Sequence, residues 1–588
     1  MALTAEQIEQ QKKQAEEILF TGPETIGFAK SLFFGQFRAP LLFPYPELSS
    51  ADRAQTEQAA AELRRFAAEH IDAAAIDRNA DIPRSVIDGL GQLGVLGMAA
   101  PEEFGGRGFS QLAYCTIMEI IGGHCASTAV FVNAHHSIGI RALVLFGTEE
   151  QKRRWLPDMI AGRKLAAFAL TEPMAGSDAA NVQTTATPSA DGKSFILNGE
   201  KRYITNGAIA QVLTVMARTP GPDGKSKVTA FLVTPDMPGF EVVEARMDKC
   251  GIRGTATARL AFRDMAVPAE NVLGPLGKGL RVALTVLDFG RTTFGASCTG
   301  SAKTCLAASV KHARERIQFQ QPLAEFELVK KKIAYMAANA FAMEATTSQC
   351  ASFIDRGAED YMLETAMLKV FSTDALWQIV NDTLQIYGGQ GYFSNEPYER
   401  MMRDARINLI GEGANDVLLA FIALVGMRGV GEHLQGVVNA IKHPIKQWGT
   451  LWRFGRNQVA SRFTSPEVPV VSPSLREDAR LLGKRVRDFG LAVQTVLRQH
   501  REAVLTKQYL QERISWVACD LYASSCVLSR LDHLLNHGNG KAEDVNRDAQ
   551  AGRYFLKLAG RRMTRNLDEL WSNDDEETTR TADGYLGR

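Results

Sequence analysis

Cysteine is sparse in this chain, 8 of 588 residues. Cys115, Cys125, Cys250, Cys298, Cys305, Cys350, Cys519 and Cys526 are scattered, with no Cys-x-x-Cys pair among them. That distribution argues against a disulfide framework and a cysteine zinc site, and reads as reduced thiols in an intracellular protein. Excess charge of one sign is lacking too. Lys plus Arg number 67 against 66 Asp plus Glu, a net charge of +1, so no global field would gather nucleic acid. Long apolar runs are missing: Val417 to Met427 is the longest, well short of the ~20 residues that span a bilayer, and it fits a buried helix. The start of the chain carries Glu6, Glu9, Glu16 and Glu17 without an apolar core or an Arg/Ser-rich amphipathic pattern. No targeting segment and a cytoplasmic location are expected.

What is present is a large globular chain, 45% hydrophobic and 23% charged, long enough for roughly three to four domains. Residues 1–50 form a lead-in with Phe43-Pro44-Tyr45-Pro46, whose prolines favour an extended path. From 51 to 163 the pattern is helical, as in the Ala/Glu-rich stretch Ala54 to Ile71. From 164 to 276 it becomes strand-like, with Phe195-Ile196-Leu197, Val212 to Met216 and Thr229 to Val233 bounded by turn residues. Helical patterning resumes over 277–430. Residues 431–474 hold a basic stretch and a Pro/Ser/Val linker, and 475–588 read as further long helices.

Two strand ends stand out. Ala166-Ala167-Phe168-Ala169-Leu170 runs into Thr171-Glu172-Pro173-Met174-Ala175-Gly176-Ser177-Asp178, and an alternating strand ends in Arg202-Tyr203-Ile204-Thr205-Asn206-Gly207. Such punctuation gathers backbone N–H groups and hydroxyls around one point, suited to a polar heterocycle or a phosphate; a single run of this kind is also an ordinary surface turn. Further on lie Gln385-Ile386-Tyr387-Gly388-Gly389-Gln390-Gly391, then Arg403-Asp404-Ala405-Arg406-Ile407 and Glu412-Gly413-Ala414-Asn415. Glu412 sits between two glycines, which let a ligand approach the backbone closely.

In this order and spacing the runs resemble the acyl-CoA dehydrogenase family, with its flavin loops T-E-P-x-x-G-S-D and W-I-[ST]-N-G, its Q-x-x-G-G-x-G loop, and its R-D-x-[KR]-I…E-G-T-[NS] segment. The resemblance runs from about residue 28 to the C-terminus. The extra C-terminal residues and Phe28-Ala29-Lys30-Ser31-Leu32-Phe33 resemble the very-long-chain subgroup. It implies an α+β, mostly α fold: an N-terminal helical domain, a central β-barrel-like or sandwich domain, a C-terminal four-helix bundle and an additional helical domain.

It also implies FAD as cofactor, acyl-CoA as substrate, an electron-transfer flavoprotein as acceptor, a homodimer, and Glu412 as the base that removes the α-proton. Desolvation would strengthen such a base, and backbone donors would polarise the thioester. Carried over, Phe168, Leu170, Thr171, Gly176 and Ser177 line the flavin and pyrophosphate, with Ser177 also on the CoA side, and Tyr203, Ile204 and Thr205 cover the isoalloxazine. Arg316, Phe319, Gln385, Gly388 and Gly389 reach the neighbouring subunit's FAD; Ala414 and Asn415 follow the base on the cofactor side. Alone, Arg316 also reads as a helix C-terminal cation. Asp288 and Arg291 fall near the CoA nucleotide, and Gly411 and Gly413 flank the reacting carbons. Ala129 and Asn133 mark the acyl channel, Ala129 letting it continue and Asn133 narrowing its end.

The chain departs from the pattern at Tyr203 for Trp, Gly411 for an aromatic residue, Ala414 for Thr, and Gln318 and Gln320 for Thr and Gly. An acyl-CoA oxidase and a non-catalytic assembly scaffold share these motifs; Glu412 favours catalysis, whereas Gly411 and Ala414 keep the scaffold open. Gly89-Leu90-Gly91-Gln92-Leu93-Gly94 follows a helical run and so does not read as a dinucleotide loop. His135-His136 lacks partners at ligand spacing, so no metal is expected. Between Lys442 and Phe463 five cations (Lys442, Lys446, Arg453, Arg456, Arg462) interleave with Trp448, Trp452, Phe454 and Phe463 and no acid. That mixture suits peripheral contact with an inner-membrane surface, or a solvated loop that packs its aromatics.

Overall fold

The computed structural model describes residues 26–221, 224–442, 464–538 and 541–587, with no side-chain description over 436–442. The helices used below are α1 (Phe28–Phe33), α2 (Ser50–His70), α3 (Gln111–His124), α4 (Ala126–Val132), α5 (Gly279–Glu315), α6 (Glu327–Asp355), α7 (Met362–Tyr387), α8 (Tyr398–Arg406), α9 (Asn415–Lys442), α10 (Arg476–His500), α11 (Gln508–His537) and α12 (Ala542–Asp568). The chain divides into two compact units, one built from 47–336 and 372–414, the other from 23–46, 337–371 and 415–588. The divisions at 336 and 371 fall inside α6 and α7.

In the first unit the helices start where the sequence caps them. Ser49 accepts from the Asp52 N–H at the head of α2, and Ser110 accepts from the Ala113 N–H at the head of α3. Along α2 the buried positions Thr56, Ala59, Ala60, Leu63 and Ala67 follow the helical period. Helices α3 and α5 cross closely because glycines stand at the crossing: a Cβ on Gly300 would come within 1.8 Å of the Glu119 carbonyl oxygen. After α4 the helix widens into a π-helical segment, Asn133–Ile140, all of it buried. Residues Ala126–Phe146 and Asn415–Gln435 are long and apolar enough, by length and composition, to cross a membrane, and 67% and 44% of those windows are buried. Core helices of a soluble protein meet the same criterion. The second stretch runs past Met427 because polar residues within it do not end the helix.

The central strands are β1 (Ala166–Ala169), β2 (Thr185–Pro188), β3 (Ser194–Ile204), β4 (Val212–Pro220), β5 (Ser226–Val233), β6 (Phe240–Glu244), β7 (Ala258–Pro268) and β8 (Val272–Leu273). They form one eight-stranded sheet in the order β6-β7-β3-β2-β4-β5-β8, with β1 pairing parallel to β4. Leu197, Leu213, Phe231 and Phe262 share one core with Ala186 of β2, and Phe240 of β6 and Val272 of β8 pack against it. The sheet therefore curls around its own interior, the barrel-like arrangement expected. Its other face packs Val212, Met216 and Leu232 against Leu143, Leu156 and Val286 of the helices. At Gly199, φ is +151° and a Cβ would stand 2.7 Å from the Thr184 Cα, so only glycine lets β3 bring Thr184 beside the first strand-end loop.

The second unit holds the additional helices α10 to α12, and residues 26–46, part of the stretch read as a lead-in, belong to it. Phe33 packs its ring 5.0 Å from that of Phe489, and the Phe28 ring lies 6.2 Å from Tyr522. The Leu42 carbonyl accepts from Gln349 and Ser529. Short-range pattern could not show this, because the partners lie hundreds of positions away.

Candidate active site

Glu412 follows α8. The helix tightens into a 3-10 turn at Ile407–Leu409, whose Ile407 carbonyl accepts from the Ile410 and Gly411 N–H groups at 2.8 Å each. The chain then turns through left-handed backbone at Glu412 (φ +56°) and Gly413 (φ +100°). A non-glycine residue held there is strained, which is common where a side chain must be aimed. Two hydrogen bonds and one gap fix it. Asn133 donates to Glu412 Oε1 at 2.6 Å, Arg291 Nε donates to the Glu412 carbonyl at 3.4 Å, and Gly290 leaves the carboxylate room, since a Cβ there would lie 3.0 Å from Oε2. At Gly411 an added Cβ would meet only the Ile407 carbonyl, at 3.6 Å, so the space of the family's aromatic residue is open.

The Arg-Asp pair preceding Glu412 anchors its loop, a role the motif alone did not reveal. Arg403 forks onto Asp77 at 2.7 and 3.0 Å and onto Glu399 at 2.8 and 3.1 Å. Asp404 accepts from the Ile252 N–H; burial pushes its carboxyl up to about 6 despite that bond.

The first strand-end loop rests on a buried ion pair that reading along the chain did not single out. Lys201 Nζ lies 2.6 Å from Glu172 and 3.1 Å from the Leu170 carbonyl. Glu172 also accepts from the Thr184 N–H and hydroxyl and from the Gln183 N–H. Burial opposes the charge of both partners; the Lys201 ammonium falls to about 8, whereas Lys201 and the surrounding donors hold the Glu172 carboxyl below its usual range. The Thr171 carbonyl accepts from the Arg202 N–H at 2.9 Å and joins the two strand ends. Asn206 donates to the Phe131 carbonyl at 3.2 Å, tying the second strand end to α4, which leads to Asn133.

Around that joint Phe168, Leu170, Thr171 and Thr205 are half-buried, while Gly176 and Ser177 are exposed. Tyr203 is 57% exposed and left-handed (φ +61°). Ile204 belongs to the sheet core and offers only its backbone. These residues fit an FAD: a Cβ on Gly176, Gly388 or Gly389 would meet nothing within 4 Å, so backbone there is open to a ligand. Arg316, Phe319, Gln385, Gly388 and Gly389 are all exposed. His312 stacks on Tyr387 at 4.0 Å, which brings the loops after α5 and α7 to one end of the unit.

Three of the expected site residues have side-chain partners within the chain. Arg291 is buried, with its guanidinium on Asp288 at 3.2 Å and its Nε on the Glu412 carbonyl at 3.4 Å. Asn133 donates to the Glu412 carboxylate. Asn415, which opens α9, accepts from the buried Lys369 at 2.8 Å. Ala129 lies buried on α4. His135 accepts from the Ala166 N–H and reaches the Met159 carbonyl, and burial lowers it to about 4; His136 accepts from the Ala99 N–H. Among the described residues no three potential ligand side chains gather for a metal.

Asn206 thus ties the second strand end to α4, and Asn133, directly after α4, holds the Glu412 carboxylate. Four family models match in succession: the N-terminal domain of acyl-CoA dehydrogenase over residues 53–163, its middle domain over 167–265, its C-terminal domain over 277–426, and the ACAD9/ACADV C-terminal domain over 473–583. The chain is 34% identical over 566 residues to the very long-chain specific acyl-CoA dehydrogenase of Rattus norvegicus, covering 94% of this chain and 86% of that one. It is 34% identical over 608 residues to a probable acyl-CoA dehydrogenase, FadE10, of Mycobacterium tuberculosis, covering 98% and 91%. The structure of an acyl-CoA dehydrogenase complexed with FAD from Bacillus anthracis superimposes with a TM-score of 0.77 at 27% identity, covering 95% of each chain. The chain belongs to the acyl-CoA dehydrogenase family: an FAD-dependent oxidoreductase that acts on acyl-CoA.

Proposed function

We propose that the protein introduces the trans-2 double bond into long- and very-long-chain acyl-CoA in fatty-acid β-oxidation and passes the electrons to an electron-transfer flavoprotein. The observation that carries this reading is the clamped Glu412 loop, with Asn133 on the carboxylate and Arg291 on the carbonyl. Glu412 takes the α-proton. Its backbone N–H is the donor that the resemblance assigns to the thioester carbonyl, where negative charge develops. Bound FAD supplies the acceptor for the hydride leaving the β-carbon. Thr171, Tyr203 and Thr205 hold the cofactor, and Arg403 and Asp404 keep the base loop from drifting. The similarity to a very-long-chain enzyme and the small Ala129 support the chain length.

The exposed Phe319 (89%), with Arg316, Gln385, Gly388 and Gly389, supports a homodimer in which these groups meet the other subunit's cofactor. We place the protein in the cytoplasm, peripheral at the inner membrane through 442–463; residues 443–463 lie outside those described, so composition alone supports this contact. The deciding experiment is anaerobic bleaching of the bound flavin by saturated acyl-CoAs. The parent bleaches best with long chains. Glu412→Gln binds FAD and acyl-CoA but turns over slower by about 10²–10⁴ or more. Parent-like turnover would move the base elsewhere.

A further inference from the structure

The hydrogen bond that Glu412 receives is the end of a buried chain of polar side chains. Asn133 Nδ2 donates to Glu412 Oε1 at 2.6 Å. The amide is oriented from behind, because Asn133 Oδ1 accepts from the Thr293 hydroxyl. Thr293 has one proton to give. Its other acceptors are Ser137 Oγ at 3.0 Å and the Gly290 and Phe289 carbonyls at 3.1 and 3.2 Å. Ser137 Oγ in turn lies 3.3 Å from the Tyr114 hydroxyl, and either oxygen can donate. Asn133, Thr293, Ser137 and Tyr114 are at most 3% exposed.

The π-helical segment makes this possible. Asn133 begins it and Ser137 lies inside it, and its wider turn sets both side chains against Thr293 of α5; such turns concentrate at functional sites. Burial raises the Tyr114 phenol, so it stays a donor. In a fully satisfied low-dielectric chain each bond polarises the next.

We propose that Asn133 is a positioning residue for the base: held by Thr293, Ser137 and Tyr114, its amide N–H fixes the Glu412 carboxylate in one orientation and favours its ionised form, so that the enzyme is ready at a lower pH than an unassisted base would allow. The inference rests on Glu412 being the base. A hydrogen bond to the charged form of an acid favours that form. The other charged or titratable groups packed near this chain are Arg291 and Asp288 on α5, Arg141, and the two histidines of the π-helical segment. Arg291 and Asp288 pair with each other, Arg141 stacks on Phe289, and burial keeps both histidines neutral.

The test compares pH profiles of kcat and kcat/KM for the FAD-loaded parent, Asn133→Leu, Thr293→Val and Thr293→Ser with a long saturated acyl-CoA, alongside Glu412→Gln. Asn133→Leu should move the acid limb of the kcat profile up by about one unit or more, so that turnover falls roughly tenfold below the limb and recovers above it. Thr293→Val should move it the same way by less, and Thr293→Ser, which keeps the hydroxyl, should return it to the parent position. If Asn133→Leu does not hold FAD, the Thr293→Val and Thr293→Ser pair decides. An acid limb unmoved in a flavin-loaded Asn133→Leu or Thr293→Val overturns the inference. Activity in Glu412→Gln overturns the assignment of the base instead.

Discussion

Lys201 and Glu172 form an ion pair of 2.6 Å in which neither side chain is more than 2% exposed. Glu172 is the second residue of the Thr171–Asp178 strand-end run and Lys201 lies two residues before Tyr203, so one contact ties together the two strand ends proposed to hold the cofactor. A pair this dry returns little net stability, but losing one partner leaves a buried charge uncompensated.

Lys201→Met should therefore lower stability by about 3–5 kcal/mol and weaken FAD retention. The double replacement Lys201→Met with Glu172→Leu should be less destabilised than Lys201→Met alone. Thermal unfolding of the holoenzymes and their flavin content after gel filtration check this; a single variant as stable as the parent would show that the pair does not shape the loops.

The acyl channel should respond at Ala129, buried on α4 one turn before Asn133. Ala129→Gln should shift the best substrate to shorter chains, with a cost of about 1–3 kcal/mol for chains that reach the plug. Flavin bleaching across a series of chain lengths measures it. An optimum that does not move would place the channel elsewhere.

In the second unit Glu364 accepts from the Ala29 N–H at 2.7 Å, and burial with the nearby Asp360 pushes its carboxyl up to about 8. The folded chain then holds a proton that the unfolded chain releases near pH 4.5. Its stabilising contribution is complete below that pH and is lost as pH rises toward 8. The melting temperature should fall between pH 5 and 8, and Glu364→Gln should flatten the fall. Equal slopes in the two proteins would refute this account.

Replacing Lys446, Arg453 and Arg456 by Glu should release the protein from anionic vesicles, since each basic residue near such a surface contributes about 1 kcal/mol. Co-sedimentation at low salt reads the result; a parent that stays in the supernatant removes the membrane proposal.

Much of this was legible along the chain. Glu412 between glycines, the strand ends at Thr171 and Tyr203, and the succession of helical, strand-like and helical segments all carry local signatures, because turns and periodicity are written in neighbouring residues. What escaped depends on partners far apart or on geometry without a composition. The Lys201–Glu172 pair spans 29 positions, and charged residues on a strand and in a turn ordinarily read as solvated. Nothing in Asn133-Ala134-His135-His136 distinguishes a π-helical turn from an α-helical one, so the hydrogen bond from Asn133 to Glu412 was not readable along the chain.

The folding of α1 among the last helices has a consequence for synthesis. Phe28 and Phe33 leave the ribosome early, yet the rings they pack against, Tyr522 and Phe489, are made only near the end. Until those helices are made, α1 keeps an apolar face without its cover, a state that invites chaperone capture or aggregation. A chain interrupted before Phe489 would display that face permanently, so the first helix works as a tag that only a completed polypeptide hides.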